Sequence, residues 1–446
     1  MLLPFSSYQL ESTASSQRLV NCYAEKTPEG AKGPLILRRA PGIEPFAAPG
    51  GIGRGLCVMS GVLYSISGTT LYRIDQDATV TGLGTVSGTA PVSMAASATQ
   101  LYIDSGFVYD GSLNALTDPD YVAEGKAAWL DSYIVTVRPD TGQFASSDLA
   151  DFTSWDALYF ATAEGSPDDL LTLEVDHRQV VLIGENSTEL WEDVGGAGFP
   201  FIRSPNGFIE IGGVGKFAST KQDQSVHWLA NDRTLRRLNG NTATRTSQHG
   251  FERAVRGYDS VSDCQMYSYN LDGHLCVVIR FPDVATWIYD CTTQEIHERQ
   301  SYGREDWDVS GFAECYGKVF VQRASDGAIG VLTKGIYQEF GNDLVSSWTY
   351  QNVYGQGQRL TIDHLELGVE TGVGLTGELP PSISLEVSYD GGRTYKSLPT
   401  KSLGALGDYR SRVIWDRLGS GYNMVIRMSM SDPVPLTIWD TQVAVR

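Results

Sequence analysis

The sequence predicts an all-β protein: a β-propeller with an extended N-terminal arm and a C-terminal β-sandwich-like domain. Three observations carry that expectation. Short segments of alternating apolar and polar residues recur along the 446 residues, and none keeps a helical stripe for three turns. Turn dipeptides follow those segments, at Asp110-Gly111, Asn239-Gly240, Asp272-Gly273, Asp326-Gly327 and Asp390-Gly391, all suited to hairpins that need positive φ. The chain holds 48 glycines beside 22 Tyr, 15 Phe and 9 Trp, a composition of turns and strands.

Residues 1–40 have few alternating runs and are punctuated by Pro28 and Pro34, with Pro41 just beyond, so they read as an extended arm that contacts neighbours. Residues 41–340 read as the propeller. Runs such as Val62–Ile66, Thr70–Ile74, Gln100–Ile103 and Ser225–Leu229 put every second side chain on one face, which is expected to be buried. Grouped, they form units opening near Gly53, Pro91, Gly125, Leu170, Val214, Asp263 and Val309, a spacing that suits four-stranded blades. Seven blades is the reading. Six is the alternative, because Gln143 to Leu158 is irregular enough to be an inserted loop or a blade of its own; two stacked sandwiches are a further alternative. Residues 341–446 change texture, with runs at Leu360–Val369, Ser382–Tyr389, Arg412–Trp415 and Met424–Met430 that suit a small sandwich.

Charge excludes several functions. The formal net charge is −19, whereas a protein that grips phosphates needs clustered positive charge. Residues 1–40, 41–180 and 181–446 carry +2, −13 and −8, so the first propeller half holds most of the negative field. Apolar runs such as Leu275–Ile279 are far too short to span a bilayer, which needs about 20 residues. Met1 to Leu10 lacks the charged-then-apolar pattern of a secretory signal, and synthesis in the cytoplasm is expected.

The motifs that bring chemistry to mind read better as structure. Six cysteines without a C-x-x-C pair suggest small core residues. Gly207–Phe217 lacks the glycine and the Ser or Thr of a phosphate loop, and Gly51–Gly55 lacks the helix of a dinucleotide site. His177, His227, His249, His274, His297 and His364 are isolated in sequence, and no cofactor or metal is expected. Ser388, Asp390, Gly392, Thr394 and Tyr395 match the Asp-box pattern, a hairpin device in which the Asp accepts turn N–H groups while the aromatic packs below. That box also occurs in sialidases, so a carbohydrate-binding or glycoside-hydrolysing propeller is the alternative function.

Ser15–Glu25 (Ser-Ser-Gln-Arg-Leu-Val-Asn-Cys-Tyr-Ala-Glu) followed by Leu35–Gly42 looks like the opening of a known family, and the ending does too. There the match runs through Ser388–Tyr395, Ser402–Tyr409, Val413–Gly419 and Ser431–Pro435. Together they resemble the packaged-DNA stabilisation proteins of short-tailed bacteriophages, also called tail hub or nozzle proteins. The resemblance implies a non-enzymatic virion protein of the tail, made in the host cytoplasm. It implies a ring of six copies below the portal and its adaptor, meeting a needle or plug and tailspikes or fibres, with genomic DNA passing through the lumen. Tyr23, Arg38, Arg39 and Pro41 are then the expected subunit contacts. Asp168, Asp169, Glu174 and Asp176, the tightest acidic cluster, are the expected lumen or rim.

Overall fold

The computed structural model describes residues 15–121, 125–195, 198–374 and 379–446. Strands dominate, and His249–Arg256 is the one α-helix among the described residues. Seven four-stranded antiparallel units follow one another, at 53–85, 94–115, 127–162, 170–209, 219–245, 265–298 and 309–333, the last completed by Gly42–Ala47. The first strands of successive units touch in order, and that of the seventh touches that of the first, which closes the ring.

The blade cores explain the sequence pattern and correct one part of it. The second strand of a blade is buried on both faces, because a neighbouring blade lies against each. In Val62–Ser67, Tyr64 and Ile66 pack toward Leu101 and Ile103 of the second blade, while Leu63 packs toward Phe320 and Ile329 of the seventh. Val277 and Val278 divide in the same way between the fifth-to-sixth and sixth-to-seventh interfaces. The run Leu275–Ile279 is therefore a strand between two cores. Gln143 to Leu158 is neither an extra loop nor an extra blade. Gln143–Asp148 and Asp151–Thr162 are the third and fourth strands of the third blade, and their register breaks between Phe160↔Ala145 and Trp155↔Ser147, leaving residues 156–159 as a bulge.

Residues 18–39 overturn the extended-arm expectation. Arg18–Val20 lies between the propeller and the sandwich, pairing parallel with the sixth blade at Val20↔Glu298 and antiparallel with Ser346–Thr349. Cys22–Lys26 and Leu35–Arg39 form a hairpin whose second strand pairs with Thr437–Val445 at Leu37↔Ile438. Pro28 and Pro34 belong to its connection, where the N–H of Thr27 bonds the carbonyl of Pro34. The sandwich thus has one sheet of 18–20, 346–349, 423–430, 382–388 and 396–402, and another of 22–26, 35–39, 437–445, 360–369 and 413–421. Leu19, Cys22 and Leu37 fill its core with Trp348, Ile362, Leu365, Trp415 and Ile426. Three residues beyond the hairpin, Gly42–Ala47 pairs with Ile329–Thr333 and closes the propeller.

Candidate assembly surfaces and a sealed propeller axis

The inner strands bring charged side chains to the propeller axis, where they satisfy one another. Lys126, just before the third blade, pairs with Glu174 on the inner strand of the fourth and donates to the carbonyl and hydroxyl of Ser219 on the fifth, at 2.9 and 3.0 Å. Ser219 in turn donates to Glu174 at 3.0 Å. Lys216, ahead of the fifth blade, pairs at 2.8 Å with Asp104 of the second. Those blades are not neighbours in the ring, so this ion pair crosses the axis. Burial holds the Asp104 carboxyl above its ordinary range, opposed by Lys216. Arg54 of the first blade spends its guanidinium on the carbonyls of Gly68, Val86, Ser87 and Ala90. Such a core of paired charges is a seal rather than a passage.

The acidic cluster separates into different roles. Asp168 accepts the backbone N–H groups of Asn186 and Ser187 at 2.7 and 2.9 Å, a turn-fixing arrangement. Glu174 belongs to the axial seal. Asp176 pairs with Lys221 at 2.7 Å, and of the four only Asp169 is exposed.

The four residues offered as subunit contacts sit at the junction of sandwich and propeller. Arg39 is buried and serves its own chain, donating to the hydroxyl of Ser346 at 3.0 Å and to the carbonyls of Val434, Asp432 and Leu344. Burial lowers its pKa to about 10. Pro41 is buried, its carbonyl accepting from Arg299 at 3.1 Å. Arg38 pairs with Glu25 and stays partly exposed. Tyr23 lies edge-on to His274, ring centroids 4.9 Å apart, with His297 at 6.1 Å. Two histidines far apart in sequence therefore meet around one tyrosine.

His227 and His297 are buried, and burial lowers their pKa values to about 4 and about 3. An unfolded chain protonates histidine below about pH 6.5. The stability that these neutral rings contribute is full above that pH and is lost as pH falls toward their folded values, on the order of 3 kcal/mol for His227 alone. His274, raised by its hydrogen bond to Asp290, opposes this, contributing below its ordinary value and losing that contribution as pH rises. Thermal unfolding is expected to fall steeply between pH 6.5 and 4, and His227→Gln is expected to flatten that slope.

In the Asp-box hairpin, Asp390 accepts the N–H groups of Arg393 and Thr394 at 3.0 and 2.9 Å and the Thr394 hydroxyl at 2.6 Å, and Ser388 accepts the N–H of Gly392. These bonds, that of the Thr394 hydroxyl foremost, hold the Asp390 carboxyl well below the usual range. Tyr395 lies under the Arg427 guanidinium at 3.9 Å. The Ser388 hydroxyl and the Asp390 carboxylate are thus spent on the turn.

A groove of about 790 Å³ runs along blades four to six, lined by residues that include Asp176, Arg237, Arg245 and Tyr289. Its charges are already matched, Arg237 by Asp223 and Arg245 by Glu252. Among the described residues no group of three His, Cys, Asp or Glu side chains is placed to hold a metal, and no helix is long and apolar enough to cross a membrane. The cysteines are free; burial pushes the Cys22 and Cys57 thiols up to about 12. Sequence reasoning missed Lys126, Lys216, Asp104 and Arg54: the Lys216–Asp104 pair is joined only by ring closure, Lys126 reaches the following blades, and Arg54 binds carbonyls that carry no sequence signal.

The fold is a closed propeller joined to a sandwich through its own N-terminal hairpin. Comparison with known families specifies which kind of protein carries it. Residues 13–337 match the family described as bacteriophage P22 Gp10, beta-propeller, and residues 348–446 match bacteriophage P22 Gp10, beta-sandwich. The chain belongs to the P22 Gp10 family, the tail hub or nozzle proteins of short-tailed phages. As a structural protein of the virion tail it assembles with other phage proteins. No curated protein matches the chain. Solved structures that share features include BamB from Moraxella catarrhalis, at 14% identity and TM-score 0.40 over 71% of this chain and 97% of that one. Another is a chain of the mitotic checkpoint complex, at 13% identity and TM-score 0.42 over 70% and 96%.

Proposed function

We propose that this chain is a wall subunit of a closed tail ring, six copies in number, seated below the portal and adaptor. The ring retains the packaged genome and then conducts it during ejection, performing no catalysis, and it is assembled in the host cytoplasm. The carrying observation is that both lobes, propeller and sandwich, match the Gp10 family in one chain. The sealed axis supports a passage between subunits instead of through any one propeller. Within 41–180 every basic side chain is engaged: Arg54 and Lys126 internally, Arg73 and Arg178 with Asp75 and Asp131, and Arg138 on Gln143 and the Phe160 ring. Exposed acids there, such as Asp77, Asp140, Asp156, Glu164 and Asp169, keep their charge free to repel a phosphate backbone, so that DNA slides without sticking. Tyr23 and Arg38, partly exposed at the junction, are candidate contacts with a needle, fibre or neighbour.

The test is a density map of the chain bound to its portal and adaptor. A ring coaxial with the portal, its inner wall richer in Asp and Glu than in Lys and Arg, is expected. A monomer bound off the axis, or an inner wall lined with lysines, would refute the reading.

A further inference from the structure

Two exposed surfaces on opposite sides of the molecule have apolar anchors and contrasting charge. The first is one end of the sandwich, where three segments converge on Asn423. Val353–Tyr354 pairs with Asn423–Met424, Asp390 bridges to Asn423, and the N–H of Gly355 faces the carbonyl of Tyr422. The segments read Tyr354-Gly-Gln-Gly-Gln-Arg359, Tyr389-Asp-Gly-Gly-Arg393 and Arg417-Leu-Gly-Ser-Gly-Tyr-Asn423. Tyr354 and Tyr422 are 61% and 59% exposed, and Arg359, Arg393 and Arg417 are exposed beside them. Two acids lie nearby, Asp390 in its turn and Asp416 beside His364, so the three arginines outnumber the carboxylates. Strand ends and turns rich in Tyr, Gly, Ser and Asn at one end of a sandwich are the chemistry of protein-binding surfaces, since tyrosine offers large contact area at low entropic cost. This end is basic on a chain whose net charge is −19.

The second surface is the outer part of the third blade. Leu149 sits in the turn between its third and fourth strands, 62% exposed, and Leu158 stands on the bulge of its edge strand, 76% exposed. Asp148, Asp151 and Asp156 surround them, and the edge strand has no further partner among the described residues. The sandwich joins the propeller at the sixth blade, and the third blade lies three places away, as far round a seven-membered ring as a blade can be.

We propose that the ring closes head to tail, the tyrosine-and-arginine end of one copy's sandwich seating on the acidic, leucine-bearing edge of the third blade of the next copy. This contact rests on the ring reading above and supplies its interface. Two unlike patches on opposite sides are what a heterologous cyclic interface requires, whereas a two-fold pairing of either patch with itself would set like charge against like.

The experiment counts rings formed by the full chain on its portal–adaptor complex, by native mass spectrometry. One variant reverses the sandwich end (R359E, R393E, R417E), and another reverses the blade edge (D148K, D151K, D156K). Each alone is expected to lose at least tenfold in rings, and an equimolar mixture to recover to within threefold, because each variant then meets its complement in an alternating ring. Rings at the wild-type level from both variants would overturn the contact while leaving the ring reading intact. Losses that mixing does not restore would overturn it too. Should a reversal fail to fold by circular dichroism, the uncharged pairs Y354S/Y422S and L149S/L158S read the same surfaces. A tenfold loss is expected from each pair, and wild-type assembly by either counts against the contact. If the wild-type chain itself forms no ring on the adaptor, the ring reading fails, and this contact with it.

Discussion

Replacing Arg299 with alanine is expected to destabilise the chain by about 3–5 kcal/mol, read as a shift in chemical denaturation at constant slope. Arg299 is fully buried where the sixth and seventh blades meet the sandwich hairpin. Its Nη2 donates to Glu339 at 2.7 Å and to the carbonyl of Pro41 at 3.1 Å, and the guanidinium lies 4.2 Å from the Trp307 ring centroid. Glu339 is buried as well and also accepts from Trp307 Nε1 at 2.8 Å and from the Ser301 hydroxyl at 2.9 Å. Removing the arginine leaves that carboxylate in the interior without its cation, which is the costly way to break a buried pair. The double variant R299M/E339Q removes both charges and keeps the volume. It is expected to recover at least half of the loss, and additive losses in the two single variants would contradict the coupling.

The propeller was largely legible because each blade is built from local hairpins. Expected openings at Gly53, Leu170 and Val309 coincide with the first residues of inner strands, and those near Pro91, Gly125 and Asp263 fall within three residues of Met94, Ala127 and Gln265. Glycine dipeptides announced only some of the turns. The tight turns His177-Arg178 and Asp223-Gln224 take positive φ at both residues without any glycine, so no sequence rule for such hairpins would flag them. The axial seal was invisible for a different reason. Asp104 and Lys216 are 112 positions apart, and only the curvature of a closed ring makes them neighbours.

The hairpin 22–39 was the largest misreading, and its cause is physical. Its strands are five residues each, too short to display a period, and its partner strand Thr437–Val445 lies hundreds of residues away. Prolines that suggested extension instead shape a connection between two strands. The Asp box had the opposite property: the hydrogen bonds that the Asp390 carboxylate accepts all come from within four residues, so one local motif specified the turn.

A chain beginning at residue 41 is expected to lose the folded sandwich while keeping a closed propeller. The cut removes Leu19, Cys22 and Leu37 from the sandwich core, and burial of each leucine contributes about 1.5–3 kcal/mol. It also removes two strands of one sheet, the strand joining the other sheet to the sixth blade, and the Arg39 side chain that ties together Ser346, Val434 and Leu344. Those losses together reach the whole stability of a typical small domain, about 5–15 kcal/mol. Gly42–Ala47 stays, so the seventh blade keeps its fourth strand. Calorimetry is expected to lose the sandwich transition, and proteolysis to cut beyond residue 346 while sparing 53–333. Extending the deletion through residue 47 opens the propeller ring and is expected to abolish the remaining transition. An intact sandwich transition in the shorter truncation would show that strands 360–369, 413–421 and 437–445 hold their sheet without the hairpin. Because the truncation dismantles a domain, its failure to form rings is no measure of contacts between subunits; substitutions at Tyr23 and Arg38, which leave the hairpin strands in place, are the variants that measure them.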